Sequence, residues 1–144
     1  MTALYNTQIL KLATSIPHHA RLAHPHGTSE RRSPICGSRV TVDVVLDDNG
    51  RIAELGQEVR ACALGQASAS LMGAHAIGRS LPELEAARDA LAAFLAGSSE
   101  DPGGWPGLEL FAPARAHSAR HASIRLAFEA AAEAAARAAR AEAA

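Results

Sequence analysis

Arg39-Val40-Thr41-Val42-Asp43-Val44-Val45-Leu46 is the stretch that decides the fold. Residues 40, 42, 44 and 46 are apolar and 39, 41 and 43 polar, the period of two that buries one face of a strand. Asp47-Asp48-Asn49-Gly50 follows, and Asn-Gly supplies the positive φ angles of a tight hairpin turn. A return strand is expected over residues 51–60, alternating less cleanly, with Gly56 marking a bulge. Beyond Cys62 the period changes. Residues 61–78 are rich in Ala, Ser and Gly, with Leu64, Leu71, Met72 and Ile77 as the larger apolar side chains, which predicts a closely packed helix from near Cys62 to Gly78. Ser80-Leu81-Pro82-Glu83 is a capping-box pattern. The helix it opens carries Leu84, Ala87, Leu91, Phe94 and Leu95 on one face and stops at Gly97, and residues 98–107 (SSEDPGGWPG) read as a loop.

From about Ser118 a long helix is predicted to the end, anchored by Ile124, Leu126 and Phe128. Eleven of its last fifteen residues are Ala, so residues 131–144 are expected to fray. Upstream of the hairpin, Tyr5, Ile9 and Leu12 share a face of a short helix that Pro17 ends. Residues 18–34 are polar and irregular, with one strand expected at 21–24. No internal repeat is visible. Helix, then strands, then helices indicates one α+β domain over residues 1–144, a small antiparallel β-sheet packed against several α-helices.

Composition narrows the function. Of 144 residues, 48% are hydrophobic and 20% charged, too apolar for general disorder. A net charge of −1 argues against nucleic acid as a partner. No apolar run approaches the ~18–20 residues of a membrane span, and the first twenty residues lack a signal peptide's pattern, so a cytoplasmic protein is expected. There are 34 alanines and only five aromatic residues, so the core must be built from aliphatics and close backbone contacts. Two cysteines cannot staple a secreted scaffold, and chemistry at them would be redox or metal chemistry.

Cys36 sits in Ser33-Pro34-Ile35-Cys36-Gly37-Ser38-Arg39, a corner just before the strong strand, and Cys62 between the hairpin and a helix. A cysteine at a helix N-terminus faces the positive end of the dipole, which favours the thiolate, the nucleophilic and metal-binding form. The competing reading is two small buried hydrophobes. His-rich tracts at His18-His19 and His24-Pro25-His26 lack a carboxylate or cysteine at ligand spacing, and Arg31-Arg32 reads as a solvated face or partner contact. No phosphate loop, nucleophile–base triad or zinc-hydrolase motif is present, so the chain is not expected to be an enzyme.

Pro34-Ile35-Cys36-Gly37-Ser38-Arg39-Val40-Thr41-Val42 resembles the first ligand motif of the IscU/NifU-N-like iron–sulfur cluster scaffold family. Ala61-Cys62-Ala63-Leu64-Gly65-Gln66-Ala67-Ser68-Ala69-Ser70-Leu71-Met72 resembles its second. Residues 113–128 look like its third region, Leu4-Tyr5-Asn6 fits its N-terminus, and the long stretch 73–112 favours the SufU-type branch. The resemblance implies a SufE/NifU-like fold and a scaffold on which a cysteine desulfurase delivers sulfur, iron joins it, and a transient [2Fe–2S] cluster passes to apo acceptor proteins. Zinc is the other metal it implies. Cys36 and Cys62 would be acceptor and ligand.

Two positions depart from the family. Ser38 stands where the first motif has Asp, and Ser123 in Arg120-His121-Ala122-Ser123 where the third region has Cys. A serine hydroxyl is a poor ligand for iron or zinc, so the implied set is incomplete in one chain. His121, with His117 four residues earlier, could replace the missing ligand as imidazole does in Rieske-type clusters. A homodimer could instead pool Cys36 and Cys62 from two chains. Two other readings stay open: a persulfide relay partner of the desulfurase using Cys62 alone, and an interaction module that has lost metal chemistry.

Overall fold

In the computed structural model the described residues are 4–34 and 37–143. Their order is α1 (Thr7–Ala13), β1 (Gly27–Arg32), β2 (Arg39–Leu46), β3 (Ile52–Arg60), α2 (Ala63–His75), α3 (Leu81–Ala96), 3-10 segments at Leu108–Ala116 and Ser118–Arg120, and α4 (His121–Ala143). The strands form one antiparallel sheet in the order β1-β2-β3. The α+β expectation holds. Val40, Val42, Val44 and Leu46 are buried on the sheet's inner face, where α4 packs across β1 and β2. Helices α2 and α3 pack on α4, and α1 packs on α2. No helix among the described residues is long and apolar enough to cross a membrane.

The hairpin closes as its residues dictate, with one refinement. Only Gly50 takes a positive φ (+76°), and Asp47 Oδ1 accepts from the Asn49 and Arg51 amides. The register slips between Val45 and Leu46, beside the turn, and not at Gly56. Gly56 is glycine because a Cβ there would lie 2.5 Å from the Ala20 carbonyl oxygen. Helix α3 has the full capping box, Ser80 and Glu83 each bonding the other's amide, and ends on left-handed Gly97.

Three expectations are corrected. Helix α1 begins after Asn6, whose side chain accepts the Ile9 amide, and leaves Tyr5 exposed rather than in the core. Residues 21–24 form no strand; β1 lies instead at Gly27–Arg32. Its inward residues are matched to α4 without hydrophobic alternation: Gly27 meets Ala134 and Ala138, Ser29 donates to Glu133, and Arg31 pairs with Glu129 and Glu133. The alanine tail does not fray at 131. Ala131, Ala132, Ala134, Ala135 and Ala138 are buried, because side chains this small let α4 lie close on β1.

Segment 18–24 crosses the sheet's outer face and is pinned by Asp43. This carboxylate, fully buried on β2 between Thr28 and Gly56, accepts from Arg21 Nε (2.7 Å), Thr28 Oγ1 (2.6 Å) and the Leu22 amide (3.0 Å). Burial works to raise its pKa, but the bonds from Arg21, Thr28 and Leu22 outweigh burial and hold it below the ordinary 3.8. A depressed folded-state value contributes stability that is present above pH 3.8 and lost as pH falls through the folded value. Asp43→Asn is therefore expected to cost about 2 kcal/mol at neutral pH. Urea unfolding should show the gap to wild type closing as pH drops below 3.8; a gap constant with pH would show that the charge contributes nothing.

Candidate functional site

Cys62 is the N-cap of α2, with extended backbone and no side-chain cap bond. Arg60 ends β3 two residues earlier, so the sulfur sits where sheet turns into helix. Ser123 lies in the first turn of α4, and Ser38 immediately precedes β2. These three meet: Ser123 Oγ is 3.3 Å from Cys62 Sγ and 3.1 Å from Ser38 Oγ. Ser38 and Ser123 are 4% and 1% exposed, while Cys62 is half-buried. Cys36 lies outside the described residues. Gly37 beside it has φ +73°, and the loop is closed by the Ser33 amide donating to the Ser38 carbonyl.

The close approach of α2 to α4 comes from small residues at one turn's spacing. A Cβ on Gly65 would stand 2.6 Å from Ser123 Oγ and 2.8 Å from Ala61 Cβ. Ser68 Oγ then donates to the Ile124 carbonyl at 2.6 Å. Gly65, three residues after Cys62, is the sequence signal for this contact.

Each hydroxyl carries one proton, so the serine chain has two directions while Cys62 is a thiol. Against an ionised sulfur, which only accepts, it has one: Ser38 donates to Ser123, and Ser123 to Cys62. The buried chain is thus a donor aimed at a sulfur anion. As metal ligands the same groups supply one thiol and two neutral hydroxyls.

His121 opens α4, and its Nε2 is 2.8 Å from the Ala114 carbonyl oxygen. A carbonyl only accepts, so that nitrogen is N–H and Nδ1 is the one left to ligate. His117 lies outside α4, in a different place from the one that a continuous helix would give it, beside a groove with Asn6, Gln8 and Pro113. In the polar tract, His26 Nδ1 accepts the Leu46 amide. Among the described residues no three His, Cys, Asp or Glu side chains form a group able to hold a metal ion.

The family described as NifU-like N terminal domain matches residues 4–136. The chain is similar to a nitrogen-fixing NifU-like protein (N-terminal) from Brucella abortus, at 38% identity over 95% of each chain and a TM-score of 0.90. It shares its fold with a putative iron–sulfur cluster assembly scaffold protein for the SUF system from Fervidobacterium islandicum AW-1. There the identity is 20%, over 92% of this chain and 96% of that one, with a TM-score of 0.84. A protein described as hypothetical has the same fold at 24% identity, covering 90% and 94%, with a TM-score of 0.80. None of the curated proteins matches. With the family spanning nearly every described element and both cysteine motifs, the chain belongs to the NifU-like N-terminal domain family.

Proposed function

We propose that this chain is an iron–sulfur cluster assembly scaffold that takes sulfur and iron onto Cys36 and Cys62 and passes the cluster to apo acceptor proteins. The observation that carries the reading is the meeting of Cys62, Ser38 and Ser123, three motif positions from three elements, at one end of the sheet. Family membership supports the general role.

Cluster is cargo here, and one chain offers too few thiolates to enclose it. Four thiolates hold a [2Fe–2S] unit, so Cys36 and Cys62 of two chains would supply the set. A cargo held by few ligands also leaves easily, which suits transfer. The Ser123 hydroxyl at Cys62 Sγ specifically favours a second reading, persulfide relay, because it offers a hydrogen bond to a sulfur anion without needing metal.

Iron, zinc and acid-labile sulfide per chain, measured after anaerobic reconstitution with a cysteine desulfurase, separate the two. For the scaffold, iron and sulfide appear in similar amounts and fall to background in both Cys36→Ser and Cys62→Ser. Persulfide on Cys62 alone, with neither metal nor sulfide and no effect of Cys36→Ser, would replace the scaffold with the relay.

A further inference from the structure

Three buried serines of this fold spend their hydroxyls on oxygen: Ser29 donates to Glu133, Ser68 to the Ile124 carbonyl and Ser70 to the Ser15 carbonyl. The Ser38–Ser123 chain ends on sulfur instead, with Ser123 Oγ 3.1 Å from Ser38 Oγ and 3.3 Å from Cys62 Sγ. Cys62 makes no side-chain bond to the amides of α2, so among the described residues Ser123 is the hydrogen-bond partner of its sulfur. Ser38 is 4% exposed and Ser123 1%, so bulk water does not compete for the two hydroxyls. In such surroundings a hydrogen bond is stronger than in water, and each bond of a chain polarises the next. A sulfur bound to iron carries no proton and accepts only. The direction therefore stays fixed when Cys62 is loaded: Ser38 donates to Ser123, and Ser123 to Cys62.

We propose that Ser123, oriented by Ser38, sets the reduction potential of the cluster cargo through the Cys62 sulfur, a role that rests on the scaffold reading above. Hydrogen bonds to the sulfurs are among the levers that fix the potential of an iron–sulfur cluster. A thiolate that accepts a hydrogen bond donates less charge to iron, and an added electron makes its sulfur the better acceptor. The reduced cargo therefore gains more from Ser123 than the oxidised cargo does. In the redox step one electron from an external one-electron reductant takes [2Fe–2S]2+ to [2Fe–2S]+. No bond to Cys62 breaks, and the proton stays on Ser123 Oγ. Both serines are positioning residues. At places where the family motifs carry ligands, they serve the neighbouring sulfur as donors instead.

The test reconstitutes cluster anaerobically on wild type, Ser123→Ala, Ser38→Ala, the double variant of these two, and Ser68→Ala. Dithionite titration with mediator dyes reads the potential, and resonance Raman in H2O and D2O reads the iron–thiolate stretch. Removing the Ser123 donor is expected to disfavour the reduced form about tenfold, a fall of ~59 mV for a one-electron couple. Ser38→Ala should lower the potential less, and the double variant no further than Ser123→Ala, because Ser38 reaches the sulfur only through Ser123. Exchange into D2O should shift the stretch in wild type and not in Ser123→Ala. Ser68→Ala removes a buried hydroxyl from the same α2–α4 contact without touching sulfur, and should keep the wild-type potential and isotope shift. Equal potentials in wild type and Ser123→Ala overturn the donor, as does a wild-type stretch unmoved by D2O, a result that needs no variant to fold. A double variant whose potential falls by the sum of the single effects overturns the chain through Ser123. Cluster lost from Ser123→Ala and kept by Ser68→Ala makes Ser123 Oγ a ligand and sinks the donor role. No cluster on wild type overturns the scaffold reading itself, and this role with it.

Discussion

Gly27→Ala is expected to lower the unfolding free energy by about 3 kcal/mol, the upper end of what overpacking usually costs. A Cβ on Gly27 would collide with the Ala134 carbonyl oxygen and stand 2.6 Å from the Ala138 amide nitrogen and 2.9 Å from Ala138 Cβ. The first two atoms are backbone of α4, so no rotamer change relieves them. Relief requires α4 to lift off β1, which opens Ser29–Glu133 and Arg31–Glu133 with it. Gly27→Val adds two methyl groups to the same collision and is expected not to fold. Gly104→Ala is the control: nothing lies within 4 Å of its Cβ position and its φ is not positive. That change should be neutral or stabilising by a few tenths of a kcal/mol, through the unfolded chain. Urea unfolding of the three variants decides the matter. Equal midpoints for Gly27→Ala and wild type would mean that the close β1–α4 approach contributes nothing to stability.

That same contact explains which parts of the fold were legible. The β2–β3 hairpin and α3 announce themselves because their burial is hydrophobic and periodic and their ends carry Asn-Gly, Ser-x-x-Glu and a closing Gly. Strand β1 is silent because its inward positions are Gly27, Ser29 and Arg31, matched to Ala134, Ala138 and Glu133, more than a hundred residues away. A local pattern cannot report a partner that distant. The alanines of α4 mislead for the complementary reason: poor in side-chain surface, they read as a weak tail, yet their smallness is what seats the helix. At the site, Cys62, Ser38 and Ser123 were legible as motif positions. Their hydrogen-bonded order and the glycine that permits it are properties of the assembled fold.

Ser38→Asp/Ser123→Cys is expected to convert a chain that retains no zinc after desalting into one that keeps about one zinc per chain. Zinc–oxygen and zinc–sulfur bonds of ~2.0–2.3 Å at tetrahedral angles separate neighbouring ligand atoms by roughly 3.3–3.8 Å. The Ser38–Ser123 separation of 3.1 Å falls just short of that range, and the Ser123–Cys62 separation of 3.3 Å lies at its lower end. The side chains therefore already converge as ligands do, and what the site lacks is donors of the right chemistry. In the apo double variant the new carboxylate sits where Ser38 is only 4% exposed, a costly burial without a counter-charge. Zinc should accordingly raise the melting temperature of the variant, by mass action on the folded state, and leave that of wild type unmoved. Binding should also release protons, since the thiols must ionise to ligate. Zinc retained equally by wild type would show that serine and the remaining residues suffice. A folded variant that fails to hold zinc would show that the two serines do not occupy ligand positions at all. Retention by the variant alone would mean that serine at these two places is what keeps a single chain from completing a zinc site by itself and leaves the Cys62 sulfur facing a chain of hydroxyl donors.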